Sequence, residues 1–387
     1  MSEPRPAPPP PMIPLSEPCL RGRTREYLEE CLRSNFVSSV GPFVERFERE
    51  FAAYVGSRYA VACATGTAAI HVALRLLGVG PGDEVLVPTL TFVASANPIL
   101  YEHAIPVLVD CERETWNMDP DLVAEELDRR ARQGRRQPKA VEAVHILGHP
   151  ARLEALADAC ARHGVAWFED ASEALGARYA EGALAGRHVG TIGRVGCFSF
   201  NGNKIITTGG GGMITTDDPV LARRAKHLTT QARLPGPEYR HDEVGYNYRL
   251  TNLAAAMGVA QLEQLPEFLA AKRRIAARYD GALGGLAGVT LPPRARWAQP
   301  SMWLYSAGFD GAAFGRDWRR LVEDLAAAHI QARPIWSPLH TMPMYRERAR
   351  LGGQVAEAVF AAGLSLPCSV SLTDAQQDAV VRALRGR

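Results

Sequence analysis

The sequence predicts an α/β fold with a large domain, whose mainly parallel seven-stranded sheet lies between helices, and a smaller C-terminal α+β domain. Between residues 60 and 216, short apolar runs alternate with amphipathic segments. Strands that are apolar on both faces are typical of a parallel sheet covered by helices. After residue 250 the alternation gives way to helical sequence with fewer strands. A chain of 387 residues is also long enough for two domains, at roughly 100–200 residues each.

The elements of the large domain can be assigned in order from their periodicity and turn residues. Short helices are expected at 24–32 and 43–55. The predicted strands are YAVACATG, DEVLVP, IPVLVD, AVEAVHILG, VAWFED, RVGCFSF and GGMITT. The predicted helices between them are TAAIHVALRLLGVG, TLTFVASANPILYEHA, ARLEALADACARHG and DPVLARRAKHLTT, the last capped by Asp217 or Asp218.

Three regions follow from this pattern. Residues 1–20 form a proline-rich tail, which we expect to be a disordered or extended lead-in. Residues 21–250 form the large domain. Residues 251–387 contain a long helix, interrupted at Pro266, and a small domain with one strand in WLYSAGFD and helices in DWRRLVEDLAAAHI and TDAQQDAVVRAL.

The composition favours a soluble cytoplasmic protein and excludes several classes of function. The net charge is +2, so no strong field draws the chain to nucleic acid or to a membrane surface. No apolar stretch reaches the ~18–20 residues of a membrane span, and the N-terminus lacks the apolar region of a secretory signal. The seven cysteines are scattered without a CxxC pair, as expected for reduced thiols.

Four features fall where strands of such a sheet end, which is where ligands bind in doubly wound folds. The turn in CATGTA, residues 63–68, can offer free N–H groups to a phosphate, although a plain capped turn fits equally. Asp170 follows an apolar strand and can pair with a cationic nitrogen of a ligand, although it could also be a helix cap. The cluster GYNYR, residues 245–249, precedes a helix and could be only a satisfied loop.

Lys204 is the fourth feature, and it is one of only four lysines in an arginine-rich chain. A lysine beyond a buried strand can be desolvated, which frees its amine for imine chemistry; the alternative is a solvated loop lysine. Arginine could not replace it, because a guanidinium stays protonated. Ser199, five residues earlier, could reach a phosphate. The glycines at 209–212 follow the lysine, and we expect them to turn the chain into the next strand.

A phosphate turn, an aspartate and a lysine in an α/β chain together predict a pyridoxal 5′-phosphate site. A nicotinamide site is disfavoured, because the first strand–helix turn, ATGTAA, lacks GxGxxG. His145 and His149 have the spacing of a helical zinc pair, but they flank a glycine in a strand–loop region, so no metal site is predicted.

Longer motifs resemble the DegT/DnrJ family of nucleotide-sugar aminotransferases, which belong to the fold-type I pyridoxal-phosphate enzymes. The resemblance covers nearly the whole chain, and TWNMDP and TTGGGGMITTDDP look most similar to the LegC-type enzymes. The motifs are TGTAAIHVAL, GDEVLVPTLTFVASANPI, FEDASEALGA, FSFNGNKIITTGGGGM, GYNYRLTNLAAAMGVAQLEQL and RPIWSPLHTMPMY.

The resemblance implies a role for each matching residue. Lys204 would hold the cofactor aldehyde and move the proton, and Asp170 would pair with the pyridine nitrogen. Asn247 would contact the phosphate from the neighbouring subunit of a homodimer. The other implied cofactor contacts are Gly66, Thr67 and Ala68 at the phosphate turn, Ser199 at the phosphate, and Phe92 on the ring.

Some positions depart from the family pattern or have an open role. Glu173 stands where many relatives have Gln or His near the cofactor hydroxyl, and Gly210 stands where many have Glu. His340 and Arg249 are candidate substrate contacts, although His340 could be a structural loop residue.

The activity implied by the resemblance is transfer of an amino group from L-glutamate, through the pyridoxamine 5′-phosphate form, to a nucleotide-linked 4-keto-6-deoxyhexose. UDP-4-keto-6-deoxy-N-acetylhexosamine is the acceptor expected from the LegC-like subgroup, in bacterial surface-sugar biosynthesis. A related sugar dehydratase is one alternative, but relatives of that kind carry His at the lysine position. The other is a non-catalytic binding protein of the same fold.

Overall fold

The structure is a computed structural model that describes residues 11–386. Its strands are β1 (Tyr59–Cys63), β2 (Glu84–Pro88), β3 (Ile105–Val109), β4 (Ala140–Val144), β5 (Ala166–Asp170), β6 (Arg178–Tyr179), β7 (Gly196–Ser199), β8 (Gly212–Thr216), β9 (Val289–Thr290), β10 (Ala298–Gln299), β11 (Tyr305–Phe309), β12 (Arg333–Pro334), β13 (Arg350–Leu351) and β14 (Gly363–Leu366).

The helices alternate with these strands in the first part of the chain and cluster with the second sheet in the last part. They are α1 (Thr24–Ser34), α2 (Pro42–Val55), α3 (Gly66–Leu76), α4 (Val93–Tyr101), α5 (Pro120–Arg132), α6 (Leu153–His163), α7 (Pro219–Thr229), α8 (Asn252–Leu262), α9 (Leu265–Leu283), α10 (Gly311–Phe314), α11 (Trp318–Ala327), α12 (Gln354–Ala362) and α13 (Asp374–Leu384).

The main sheet has eight strands in the order β1-β8-β7-β5-β4-β2-β3-β13. Only β8 runs antiparallel to its neighbours, β1 and β7, so the prediction of a mainly parallel sheet is confirmed. All seven strands predicted between residues 60 and 216 are present. The eighth, β13, comes from the C-terminal part and pairs with β3. Sequence reasoning missed it because two residues are too few to show a period.

Helices cover both faces of this sheet. Successive strand residues point to opposite faces, as Val61 and Cys63 do on one face of β1 and Ala62 on the other. One face packs against α3, α4 and α7, and the other against α2, α5, α6 and α8. The carboxyl ends of the parallel strands therefore lie along one edge of the sheet, between the two layers of helices.

The C-terminal part has its own sheet, with the antiparallel order β12-β14-β11-β9, as the predicted α+β character requires. The predicted long helix is two helices, because the chain breaks at Glu263 and Gln264, and Pro266 lies in the first turn of α9. The division of the chain at residues 20 and 250 remains a prediction.

The N-terminal segment is tied to the C-terminal part of the chain. Residues 1–10 of the predicted tail lie outside the described residues. Beyond them, Ile13 forms a β-bridge with Ile330, and the carbonyl of Leu15 accepts from the N–H of Cys368. The hydroxyl of Ser16 donates to the carbonyl of Asn203 over 3.1 Å. This segment is therefore extended and hydrogen-bonded.

Within the described chain, no helix combines the length and the apolar character needed to cross a membrane. All seven cysteines are free thiols, and six of them are buried. The cysteines therefore behave as small apolar side chains of the core.

The glycine run at 209–212 makes a close backbone contact at one end of the main sheet. Gly209 has a φ of +81°, which favours glycine. A Cβ on Gly212 would lie 2.3 Å from the carbonyl oxygen of Thr65, in the turn before α3. A Cβ on Gly210 would meet nothing within 4 Å, so the expectation that this glycine is needed for the turn has no steric basis. The requirement falls on Gly209, on Gly212 and on Gly211, whose Cβ would lie 2.2 Å from the hydroxyl oxygen of Thr208.

We predict that Gly212→Ala destabilises the protein by about 1–3 kcal/mol, because its Cβ must displace the backbone of the turn. Gly210→Ala is the matched control and should leave the unfolding midpoint unchanged. Denaturant unfolding of the two variants and the parent measures the difference. Equal midpoints for all three proteins would show that β8 and the turn can separate freely.

Candidate active site

A cavity of about 290 Å³ opens at the carboxyl edge of the main sheet. Residues at or just beyond the ends of β1, β2, β4, β5 and β7 line it, as expected for a doubly wound sheet. The predicted site residues in this lining are Gly66, Thr67, Phe92, Asp170, Glu173, Ser199, Lys204 and Gly210. The fold therefore brings together residues from 66 to 210 in one place.

The turn before α3 presents free donors to the cavity. The hydroxyl of Thr65 caps α3 by accepting from the N–H of Ala68 over 3.0 Å. The N–H groups of Gly66 and Thr67 stand at the start of the helix, where no intrahelical acceptor exists. Two such donors at a helix N-terminus favour a phosphate. Ala68 differs from expectation, because its N–H is committed to the cap and its side chain lies behind the lining.

Two serine hydroxyls lie beside this turn. A Cβ on Gly66 would meet Ser199 Cβ at 2.7 Å and Ser172 Oγ at 3.2 Å, so glycine is required for this close approach. Ser199 was predicted as a phosphate contact. Ser172 was missed, although its position two residues after Asp170 in EDASEALG is a usable signal.

Asp170 is held by two hydrogen bonds at the end of β5. Its Oδ2 accepts from the hydroxyl of Ser95 over 2.8 Å, and its Oδ1 accepts from the N–H of Ser172 over 3.0 Å. Ser95 is in turn 2.8 Å from the hydroxyl of Thr91. Asp170 is buried, and these donors orient its carboxylate. Ser95 was also missed by sequence reasoning, because an ordinary helical serine carries no distinguishing signal.

Lys204 lies in the loop between β7 and β8, with its amine at the cavity wall. Its Nζ is 3.8 Å from the centroid of the Trp303 ring, and no hydrogen bond or ion pair to this amine is found within residues 11–386. Burial lowers the pKa of Lys204, while the carboxylates of Glu173 and Asp170 act in the opposite direction. A lysine with a lowered pKa has more neutral amine at a given pH, as imine chemistry needs.

Glu173 faces the same cavity and fixes a neighbouring loop. It accepts from the N–H of Leu147 over 2.7 Å, and Leu147 has a φ of +54°. Burial raises the pKa of Glu173, while the charge of Lys204 opposes the rise. The carboxyl therefore supports a strained loop residue and influences the charge of the lysine.

Besides Ala68, three predicted residues lie outside the cavity lining of this chain. His340 is buried, with one ring nitrogen 2.7 Å from the Thr89 hydroxyl and the other 2.9 Å from Glu357, so the structural reading fits it better than substrate contact. Asn247 and Arg249 are exposed and hydrogen-bonded to each other over 3.2 Å. Their predicted roles stay predictions.

The rings of His145 and His149 are hydrogen-bonded to other groups of the protein. His145 bonds Glu169 over 3.0 Å and accepts from the N–H of Ala151. His149 accepts from the N–H of Ala295, and burial lowers its pKa to about 4. Both rings are therefore committed to hydrogen bonds inside the core.

Two tryptophans from the C-terminal part complete the cavity, and sequence reasoning did not find them. Trp303 lies against Lys204, and Trp336 lies 5.2 Å from the ring of Phe92. The Nε1 of Trp336 is buried, and its N–H lowers the pKa of Glu173, against the rise that burial causes. No local pattern distinguishes these residues from ordinary core aromatics.

The N–H groups and side chains around the cavity fit pyridoxal 5′-phosphate. Free N–H groups and serine hydroxyls suit its phosphate, Asp170 suits the pyridine nitrogen, and Lys204 suits the aldehyde. The fold and this site define a pyridoxal-phosphate enzyme of the fold-type I class.

The comparison with known proteins places the chain within that class. Residues 18–385 match the DegT/DnrJ/EryC1/StrS aminotransferase family, so the chain belongs to this family. EpsN from Bacillus subtilis (strain 168) is 43% identical over 374 residues, covering 96% of this chain and 94% of EpsN. GDP-perosamine synthase from Caulobacter vibrioides is 41% identical over 376 residues, covering 97% of this chain and 98% of the synthase.

The solved structures agree on fold and cofactor. Spr1654 from Streptococcus pneumoniae in its PLP form has a TM-score of 0.86 and 26% identity, covering 97% of this chain and 98% of that chain. The same protein is known in a PMP form. The predictions of an α/β fold-type I enzyme, of an aminotransferase and of this cofactor are confirmed. The closer relation to LegC-type enzymes remains a prediction.

We predict that Lys204→Ala abolishes covalent capture of pyridoxal phosphate and lowers transaminase turnover by a factor on the order of 10³ or more, as when a covalent nucleophile is lost. Borohydride reduction followed by peptide mapping locates the modified lysine. The exposed Lys139→Ala variant is the control and should behave like the parent. Retention of a reduced adduct in Lys204→Ala would assign the covalent role elsewhere.

Glu142 is a further buried carboxyl near the site. It lies on β4, two residues before Val144 of the cavity lining, and therefore on the same face of the sheet. It is fully buried, and neither carboxyl oxygen has a hydrogen-bond partner in the described residues. Burial raises the pKa of Glu142 well above its usual range, and the charge of Asp170 adds to the rise. The folded protein therefore favours the neutral form of Glu142.

Glu142 should make the protein less stable as pH rises. In the unfolded chain it ionises near its ordinary pKa of 4.5, whereas in the folded chain it stays protonated to higher pH. Folding is then accompanied by proton uptake at Glu142. The free energy of unfolding therefore falls by about 1.4 kcal/mol per pH unit between the two pKa values. We predict that Glu142→Leu becomes increasingly more stable than the parent above pH 5, measured by denaturant unfolding. The exposed Glu347→Leu variant is the control; a pH-independent difference for Glu142→Leu would refute the neutral carboxyl.

Proposed function

We propose that the protein transfers an amino group from L-glutamate to a nucleotide-linked 4-keto-6-deoxyhexose, in the biosynthesis of bacterial surface sugars. The observation that carries the proposal is the presence of Lys204 and Asp170 in one cavity beside free phosphate donors. The family membership supports the transfer of an amino group to a sugar.

The nucleotide of the acceptor is the finer part of the proposal. The LegC-like motifs favour UDP-4-keto-6-deoxy-N-acetylhexosamine. The name of the Caulobacter synthase, in contrast, supports a GDP-linked sugar. At 41% identity over almost the full length of both chains, that relative is the stronger guide. We therefore propose a GDP-linked acceptor first and the UDP-linked N-acetyl sugar second.

Different residues of this chain have different roles in the proposed reaction. Bound pyridoxal phosphate supplies an electron sink that stabilises negative charge on the carbon bonded to the transferred nitrogen. Gly66, Thr67 and the Ser199 hydroxyl bind the phosphate. Asp170 keeps a proton on the pyridine nitrogen, since its oriented carboxylate is a fixed negative charge there. The Lys204 amine takes up and returns the proton at the reacting carbon.

The aromatic side chains close the site above these groups. Phe92 lies at the cavity mouth with 49% of its surface exposed, in a position to cover the ring of the cofactor. Asn247 is exposed on the chain surface, which suits its proposed contact with the phosphate of a neighbouring subunit in a homodimer. We also propose a cytoplasmic location, where the nucleotide sugars would be made.

The two alternative functions fit the site less well. A sugar dehydratase of this fold carries His at the lysine position, and this chain has Lys204. A non-catalytic binding protein would have no need for a half-buried lysine whose pKa is lowered by desolvation.

A panel of acceptors tests the proposal. The pyridoxamine-phosphate form of the protein is mixed with GDP-, UDP- and dTDP-linked 4-keto-6-deoxy sugars, and return of the pyridoxal-phosphate spectrum and the amino-sugar product are followed by absorbance and mass spectrometry. We expect turnover with the GDP sugar and much less with the others; preference for the UDP N-acetyl sugar would favour the second candidate. The Lys204→Ala variant is the control, and no amino sugar with any acceptor would overturn the proposed function.

A further inference from the structure

We propose that Trp303 is a positioning residue that holds the Lys204 amine against its indole face. The Nζ of Lys204 lies 3.8 Å from the centroid of the ring. No other partner for this amine is found among residues 11–386. A cation is attracted to the face of tryptophan more strongly than to that of phenylalanine or tyrosine. The indole ring is therefore the polar or cation–π partner found for this amine among the described residues.

Trp303 also holds the backbone on which Lys204 is carried. Its Nε1–H donates to the carbonyl of Asn203, the residue before the lysine, over 2.7 Å. One indole thus contacts both the amine and the adjacent peptide. The lysine loop and its side chain are held from the same side.

The indole is itself fixed by several contacts. Trp303 is only 1% exposed, and its ring stacks on that of Trp336 at 6.3 Å with an interplanar angle of 29°. Its carbonyl accepts from the buried amine of Lys272 over 2.9 Å, and that amine also donates to the carbonyl of Cys368 over 2.6 Å. A side chain fixed in this way can hold the lysine in one place without itself moving.

The charges that face the amine are two carboxylates. Glu173 comes from the loop after β5 and Asp170 from the end of β5, and both act on Lys204 electrostatically. Neither is within ion-pair distance of the amine. The indole face therefore provides local stabilisation of the ammonium form, which opposes the effect of burial. Replacing the ring with an apolar side chain that has no π-face should make the ammonium form of Lys204 less stable.

Replacing the ring separates this role from simple packing. Trp303→Phe keeps an aromatic face but loses the hydrogen bond to Asn203, and Trp303→Leu loses the face as well. If the ring acts through its π-face, the stability of the Lys204 ammonium form should decrease in the order Trp, Phe, Leu. If Trp303 only fills space, Phe and Leu should behave alike.

The inference rests on the proposed function, because it assumes that Lys204 is the reactive lysine, but its test does not use turnover. Full-length protein freed of cofactor is labelled competitively with acetic anhydride across a range of pH. The labelling of Lys204 is read by mass spectrometry relative to the exposed Lys139. We expect the labelling midpoint of Lys204 to fall in the order Trp, Phe, Leu. At a fixed pH below the midpoint, labelling in Trp303→Leu should be about two- to tenfold faster than in the parent.

Each outcome decides the proposal. A midpoint that is unchanged or higher in both variants overturns it, since the ring would then not stabilise the ammonium. Thermal unfolding shows whether Trp303→Leu folds. If that variant does not fold, the comparison of Trp303→Phe with the parent is sufficient for the test. Failure of the proposed function is distinguishable, because the parent protein would then make no amino sugar with any acceptor, whatever the labelling profile of Lys204.

Discussion

The close contact between β8 and the turn before α3 is the constraint on which the site depends. The antiparallel β8 lies between β1 and β7, so the loop that carries Lys204 returns beside the phosphate turn that follows β1. Gly212 touches Thr65, and Gly66 touches Ser199, at distances that exclude a Cβ. Glycine at these two positions therefore sets the distance between the free N–H groups and the lysine loop. A parallel strand at this place would have carried the loop to the other edge of the sheet.

The site concentrates ionisable groups where water is scarce. Burial lowers the pKa of Lys204 and raises that of Glu173 and of Glu142, so burial pushes each of these side chains toward its neutral form. Such groups cost stability, and perturbed pKa values of this kind cluster at functional sites. The carboxylate of Asp170 is instead oriented by two hydrogen-bond donors, the hydroxyl of Ser95 and the N–H of Ser172.

Much of this arrangement could be predicted from the sequence, because it depends on local order. Strand ends can be recognised from apolar runs, and residues just beyond parallel strands meet at one edge, which is how Asp170 and Lys204 were assigned to one site. Trp303 and Trp336 could not be found in this way, because their approach depends on how the second sheet packs against the first. β13 was too short to show a pattern. The cap on Ala68 depends on the rotamer of one threonine, which periodicity does not describe.

The carbonyl of Asn203 accepts from Ser16, 187 residues earlier, and from Trp303, 100 residues later. The loop that carries Lys204 is thus hydrogen-bonded to the N-terminal segment and to the C-terminal part of the chain. A nascent polypeptide has Ser16 and β1 to β8 before it has Trp303, so the hydrogen bond from Trp303 can form only later in synthesis. A chain that ends before residue 303 therefore has the lysine but not the indole that contacts it.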